Sequence, residues 1–133
     1  MPHRAIAQIA GPATLIEWAK LGLSSPRARV LRLKRLRFDA PGHPIALEEV
    51  VLALDRFPGL DPDGGDIPDI IDLAQRYAIS LGRSSERIGM VPASAEVAGH
   101  LGIAAGTDVL KLDRIAETID GEPVEWRVAF QKV

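Results

Sequence analysis

Val109-Leu110-Lys111-Leu112-Asp113-Arg114, followed by Asp120-Gly121-Glu122-Pro123 and then Val124-Glu125-Trp126-Arg127-Val128-Ala129-Phe130, reads as a β-hairpin. Leu110 and Leu112 share one face of the first arm by period-two alternation, as do Val124, Trp126, Val128 and Phe130 on the second. Asp120-Gly121 supplies the positive φ of a tight turn, because glycine has no Cβ to clash there. The pattern occurs twice. Leu21-Gly22-Leu23 matches Leu101-Gly102-Ile103, Val30-Leu31-Arg32-Leu33-Lys34-Arg35 matches residues 109–114, and Pro44-Ile45 matches Pro123-Val124. The interval from arginine to proline is the same in both copies. A duplicated helix-hairpin unit follows, with too few copies for a solenoid.

Outward from the two hairpins, residues 1–11 have a β-capable centre at 5–10 that suits an edge strand or a frayed end. Residues 12–21 read as a helix entered through Pro12, with Leu15, Ile16 and Ala19 as its apolar stripe and Gly22 as its C-terminal glycine. The first hairpin spans 29–39 and 44–54 across Ala40-Pro41-Gly42-His43. Residues 67–77 form a helix with Ile70, Ile71, Leu73, Ala74 and Tyr77 on its buried side and Asp66, Asp69 and Asp72 near its positive end. Residues 79–91 read as a strand, and Ser94 N-caps a helix ending at Leu101-Gly102. The expected fold is α+β: an antiparallel sheet of about five to six strands with helices packed on it, in one domain over residues 1–133.

The chain has 133 residues, a formal charge of -2 and no cysteine. The lack of basic excess argues against direct nucleic-acid binding, which needs phosphate neutralisation. With no thiol there is no disulfide and no thiolate metal site. No signal peptide is found, nor any apolar run long enough to span a bilayer, so the expectation is a cytoplasmic protein that does not bind membranes. Asp61, Asp63, Asp66, Asp69 and Asp72 imitate a calcium loop poorly, since aspartates stand where its sixth-position glycine and twelfth-position glutamate are required. The three histidines show no ligand spacing, and neither Ser24-Ser25 nor Ser84-Ser85 sits in a nucleophile elbow. No cofactor or catalytic residue is indicated.

The informative anomaly is that Arg35 and Arg37 continue the face begun by Leu31 and Leu33, and Arg114 continues that of Leu110 and Leu112. A face apolar at one end and arginine at the other suits a pocket for an anion, since guanidinium binds carboxylate or phosphate bidentately. The bland alternative is that these arginines snorkel out at the sheet rim or pair with Glu48, Glu49, Asp39 and Glu117 as structural ion pairs. Glu125 and Arg127 have the opposite parity from Trp126. They form either an outer-face pair or the lining of a cavity or subunit contact on that other face.

Ala95-Glu96-Val97-Ala98, Leu101-Gly102-Ile103, Gly106, Val109-Leu110, Arg114 and residues 120–127 together resemble the UTRA domain, the effector-sensing half of GntR-type (HutC subfamily) transcription regulators, similar in fold to chorismate lyase. Arg35-Leu36-Arg37, Pro44-Ile45-Ala46-Leu47-Glu48 and Phe57-Pro58-Gly59-Leu60 extend the resemblance over residues 28–131. It implies a small-molecule cavity and a homodimer that couples ligand binding to DNA release by a separate winged-helix domain. It also implies effector contacts at Arg35, Arg37, Glu48, Arg83 and Glu125.

Three departures bear on function. No winged-helix region precedes Met1, so the expectation is a domain that does not itself bind an operator. The family's Ser-Leu-Tyr before its middle helix is replaced around Ile67-Pro68-Asp69, which argues against a sugar phosphate. The turn that usually follows the last strand is missing.

The expected function is therefore a regulatory domain that binds a small anionic metabolite and is not an enzyme. The alternatives are a chorismate lyase-like enzyme, or a partner that dimerises with full-length regulators. The homodimer is expected through an undefended last strand, residues 124–131, unless residues 5–10 cover it.

Overall fold

Both copies of the helix-hairpin unit are present in the computed structural model, which describes residues 3–133, and a strand precedes each copy. Met1 and Pro2, part of the expected N-terminal segment, lie outside the described residues. The first unit comprises β1 (His3–Pro12), α1 (Leu15–Lys20), β2 (Arg29–Ala40) and β3 (His43–Ala53). A single 3-10 turn (Leu54–Arg56) and α2 (Ile70–Arg76) follow. The second unit comprises β4 (Leu81–Pro92), α3 (Ala95–Leu101), β5 (Asp108–Thr118) and β6 (Pro123–Gln131). The strands form one antiparallel sheet in the order β1-β2-β3-β6-β5-β4.

The sequence offset that carries Pro44 onto Pro123 also carries Glu49 onto Val128. The β3–β6 pair that joins the units sets Glu49 directly opposite Val128, so a pseudo-two-fold axis passes through this pair. The helix ends obey the same symmetry. Gly22 and Gly102 have φ of 57° and 68°. The Leu23 N–H donates to Trp18 O at 3.0 Å and the Ile103 N–H to Ala98 O at 3.1 Å, while Leu21 and Leu101 are buried. Such closures satisfy carbonyls that a helix end leaves open.

α1 and α3 lie on one face of the sheet and α2 on the other. Leu21 packs with Val30 and Ala53. Val97, Ala98 and Leu101 of α3 pack with Leu36, Leu47 and Val109. On the opposite face Ile70 and Leu73 of α2 join Phe57 and Ile67 over Leu31, Leu33, Val50 and Leu52. Burying side chains of this size stabilises by about 1.5–3 kcal/mol each.

The first helix differs from expectation. β1 runs through Pro12, which pairs with Arg29, so the helix starts only at Leu15, with Thr14 as N-cap. In that frame Leu15, Ile16 and Ala19 are exposed, and Glu17 and Leu21, one helical turn apart, face the sheet. Glu17 closes a capping box with Thr14 and accepts hydrogen bonds from Arg32 Nε at 2.7 Å and Nη2 at 2.6 Å. A cap is worth about 1 kcal/mol and a half-exposed ion pair about 0–1 kcal/mol, so Leu21 is the main anchor of α1. α2 is also shorter than expected. Pro68 disfavours helical backbone at Ile67, the helix begins at Ile70, and Ile71 is exposed rather than buried.

Residues 124–131 do not form an edge. β6 lies between β3 and β5, because the second hairpin folds against the first, and the argument for an undefended last strand fails. Residues 5–10 do form an edge strand within β1, but on the far side of β2 from β6. The outer strands are β1 and β4, and residues 82–90 of β4 are exposed on both faces. Among the described residues no helix is long and apolar enough to cross a membrane.

Candidate functional site

Register decides what shares a face. Arg35 is opposite Glu48, Val50 is opposite Arg127 and Leu52 opposite Glu125, and Arg114 is opposite Arg127. Since paired and alternate residues project to the same side, Arg35, Arg37, Glu48, Arg114, Glu125 and Arg127 all lie on the face that carries α2. Leu31, Leu33, Val50 and Leu52 form the apolar half of that face. The bland reading of Glu125 and Arg127 as an outer-face pair is therefore overturned. Trp126 packs on the α1 side, with Lys20 over its ring and its indole N–H donated to Asp113 at 2.9 Å. The arginines and Glu125 share the opposite side.

Glu48 is the hub. It is 4% exposed and accepts from Arg35 Nε at 2.9 Å and pairs with Arg37 Nε at 2.9 Å, while Arg127 Nη1 lies 3.6 Å away. Asp69, the N-cap residue of α2, pairs with both Arg35 and Arg37 from above the sheet. Burial alone would push the Glu48 and Asp69 carboxyls up, but hydrogen bonds from the arginines outweigh it and hold both below their ordinary values. Of the two bland alternatives, Arg35 and Arg37 do not follow the rim one: they are ion-paired inside the fold with Glu48, one of the expected partners, and with Asp69, which is not among them. His3, opposite Arg37, is held below its ordinary pKa by burial and by Arg35.

The second copy lacks this balance. The offset between the two copies places Arg127 where the first has Glu48, and Arg114 where it has Arg35, so the cross-strand pair Arg35–Glu48 becomes Arg114 beside Arg127. Like charges directly opposite on a sheet repel. Burial, with Arg114 nearby, holds the Arg127 guanidinium below its ordinary pKa against the attraction of Glu48 and Glu125. Glu125 is 1% exposed and lies 3.6 Å from Arg114 Nη2, beyond hydrogen-bond reach. Burial pushes its carboxyl up despite Arg127 and Arg114. Among the described residues, Glu125 Oε1 and Arg114 Nε are buried without a hydrogen-bond partner. A depression of about 210 Å³ bounded by Arg114, Ser84, Ala116, Leu81 and Ile70 opens beside them.

Arg35, Arg37, Glu48 and Glu125 are thus brought together, whereas Arg83 is not placed with them. It sits in the register shift between Leu81 and Ser84, exposed, and lines a separate hollow with Gly82, Thr118, Asp120 and Gly121. Asp69, Arg114 and Arg127 complete the cluster: Arg114 belongs to the arginine-bearing face read from the sequence and Arg127 to the cavity-lining reading of the Glu125 face, whereas Asp69 is not anticipated there. Counting outward from the Asp120-Gly121 turn pairs Arg114 with Arg127, so that contact was available as a signal. Asp69 reaches the cluster through a loop whose path no periodicity reports.

A model of the UTRA domain family matches residues 10–131. The chain belongs to the UTRA family. Solved structures agree in fold. A GntR-family transcriptional regulator from Enterococcus faecalis has a TM-score of 0.84 at 22% identity, over 98% of this chain and 92% of that one. The ligand-binding domain of a GntR-family regulator from Bordetella bronchiseptica has 0.85 at 23%, over 98% and 81%. The effector domain of PhnF from Mycobacterium smegmatis has 0.82 at 23%, over 98% and 79%. This UTRA chain therefore shares its α+β fold with these GntR-family structures.

Proposed function

We propose that the domain senses a small anionic metabolite, bound on the α2 face by Arg114 and Arg127 and enclosed by Arg35, Arg37, Glu48 and Glu125. The observation that carries this is the cross-strand arginine pair. Two guanidinium groups are set opposite each other, their side chains only 24% and 20% exposed, and among the described residues no carboxylate lies closer to them than 3.6 Å. Of the carboxylates on this face among the described residues, Glu48 and Asp69 are taken by Arg35 and Arg37, and Glu86, opposite Arg114 on β4, is exposed and forms no ion pair with it. An acidic group bridging Arg114 and Arg127 relieves the repulsion with charge-assisted hydrogen bonds, and the buried Glu125 oxygen accepts from a hydroxyl or amine on the same ligand. Arg83, remote from this cluster, acts at most on a ligand long enough to pass Gly82. The binding state is read by a DNA-binding domain of the regulator, and the functional form is a homodimer, for which the free edges β1 and β4 are the available sheet partners.

A thermal-shift screen of carboxylates and phosphorylated metabolites tests this. At least one carboxylate raises the melting temperature of the parent, and the rise disappears in Arg127→Ala and in Arg114→Ala. A ligand that stabilises both variants as much as the parent places the site elsewhere.

A further inference from the structure

Each α-helix of this fold starts at a residue suited to capping. Thr14 accepts from the Glu17 N–H and Ser94 from the Val97 N–H, both at 3.2 Å. Asp69 stands in the same backbone conformation at the head of α2, with φ -60° and ψ 158°, and aspartate is among the best capping residues. Its side chain nevertheless makes no capping hydrogen bond. It is turned away from the first turn of its own helix and onto Arg35 and Arg37.

The contact with Arg35 is imperfect. Arg35 Nη2 is 3.0 Å from Asp69 Oδ1 but lies off the angle of a hydrogen bond, and it is a buried donor with no other partner among the described residues. Glu48, by contrast, is 5% exposed at its side chain and wedged between Arg35 and Arg37, whereas Asp69 is 37% exposed at its side chain and reaches the cluster from the solvent side. Of the described groups facing this point, Arg35, Arg37, His3, Glu48 and Asp69, the Asp69 carboxylate is the one that can leave without unpacking the sheet.

We propose that Asp69 is an internal stand-in for an acidic group of the effector: a second acid on the ligand takes Arg35 and Arg37, and the displaced Asp69 side chain turns back to cap α2. The inference rests on the reading of the arginine face as the effector site, and it narrows the ligand to a compact diacid, one acidic group at Arg114 and Arg127 and the other at Arg35 and Arg37. Two energetic consequences favour the exchange. The ligand acid can align with Arg35 Nη2, which Asp69 does not, and charged hydrogen bonds of this kind are strong. The released carboxylate gains amide donors at the head of α2, where the helix dipole favours negative charge. Binding at the sheet is thereby coupled to the start of α2, a two-position element of the sort that converts occupancy into a conformational signal.

Calorimetric titration with succinate and with butyrate, a diacid and a monoacid of the same carbon count, tests the proposal in the parent and in Asp69→Asn, which keeps a capping side chain and removes the competing charge. Asp69→Asn binds succinate at least tenfold more tightly than the parent, and its affinity for butyrate rises less than threefold. In the parent, amide hydrogen exchange at Ile71 and Asp72 slows when succinate is added. Succinate and butyrate gaining equally, or succinate binding the two proteins alike with no change in exchange at those amides, overturns the stand-in role while leaving the arginine face as the site. Absence of binding by either acid to either protein overturns both the stand-in and the reading beneath it.

Discussion

Glu48→Ala loses about 3–5 kcal/mol of folding stability in urea denaturation at neutral pH, the range for breaking a buried ion pair by removing one partner. Arg35, 2% exposed, is then left with Asp69 alone, through the poorly aligned contact, and Arg37 and Arg127 lose their shared acceptor. Against a total of about 5–15 kcal/mol for a domain, this is a large fraction. Removing both charges as Arg35→Met with Glu48→Leu costs less than the single change, because the most deeply buried guanidinium is no longer stranded, although Arg37 and Arg127 still lose Glu48. The pH dependence has a definite sign. The folded pKa of Glu48 is lowered from 4.5, so its contribution is complete above that unfolded value and is lost as pH falls through the lower folded one. Glu125, whose folded pKa is raised, has the opposite sign and becomes less costly as pH falls. Glu48→Ala therefore has a flatter acid limb than the parent. A steeper limb, or a loss below about 1 kcal/mol, contradicts the buried hub.

Phe57→Ala costs about 3–5 kcal/mol in the same assay, as expected for emptying a buried aromatic site. The ring is 1% exposed, belongs to the cluster of Leu31, Leu33, Val50, Leu52, Ile70 and Leu73, and meets Tyr77 edge-on at 5.4 Å. It fastens the segment carrying α2 to the sheet and so holds Asp69 above the arginines. Ile71→Ala, on the same helix but 65% exposed, changes stability by no more than about 0.5 kcal/mol. Equal losses for the two would show that α2 presents a different side to the sheet.

The sheet was legible because its signals are local. Period-two alternation, the turns at Gly42 and Gly121 and the duplicated Leu-Gly ends placed both hairpins close to their observed bounds. The order of strands was not, since nothing within β6 tells whether its neighbour on the far side is solvent or β3. The stripe of α1 was misread because Pro12 fits both the end of a strand and the start of a helix, and pairing with Arg29 decided between them. In the charged cluster on the α2 face, Arg35, Arg37 and Glu48 were legible from face and family together, though only their clustering is observed. Glu125 was ambiguous, because parity sets it apart from Trp126 without saying which face is covered. Asp69 was out of reach: an acidic residue before a helix ordinarily caps it, and this one instead crosses to another element.

The most direct test of the anion site is a titration of the domain, labelled with ¹⁵N in its arginine and tryptophan side chains, with the strongest carboxylate found in the thermal-shift screen. The Nε–H resonances of Arg114 and Arg127 on the α2 face shift and saturate with the bound fraction, while the Trp126 indole N–H on the opposite face stays in place. Movement of the Trp126 indole with the resonances of Arg35, Arg37, Arg114 and Arg127 unchanged would contradict the assignment and put the ligand in the groove beside Lys34, Glu49 and Val51 on the α1 side.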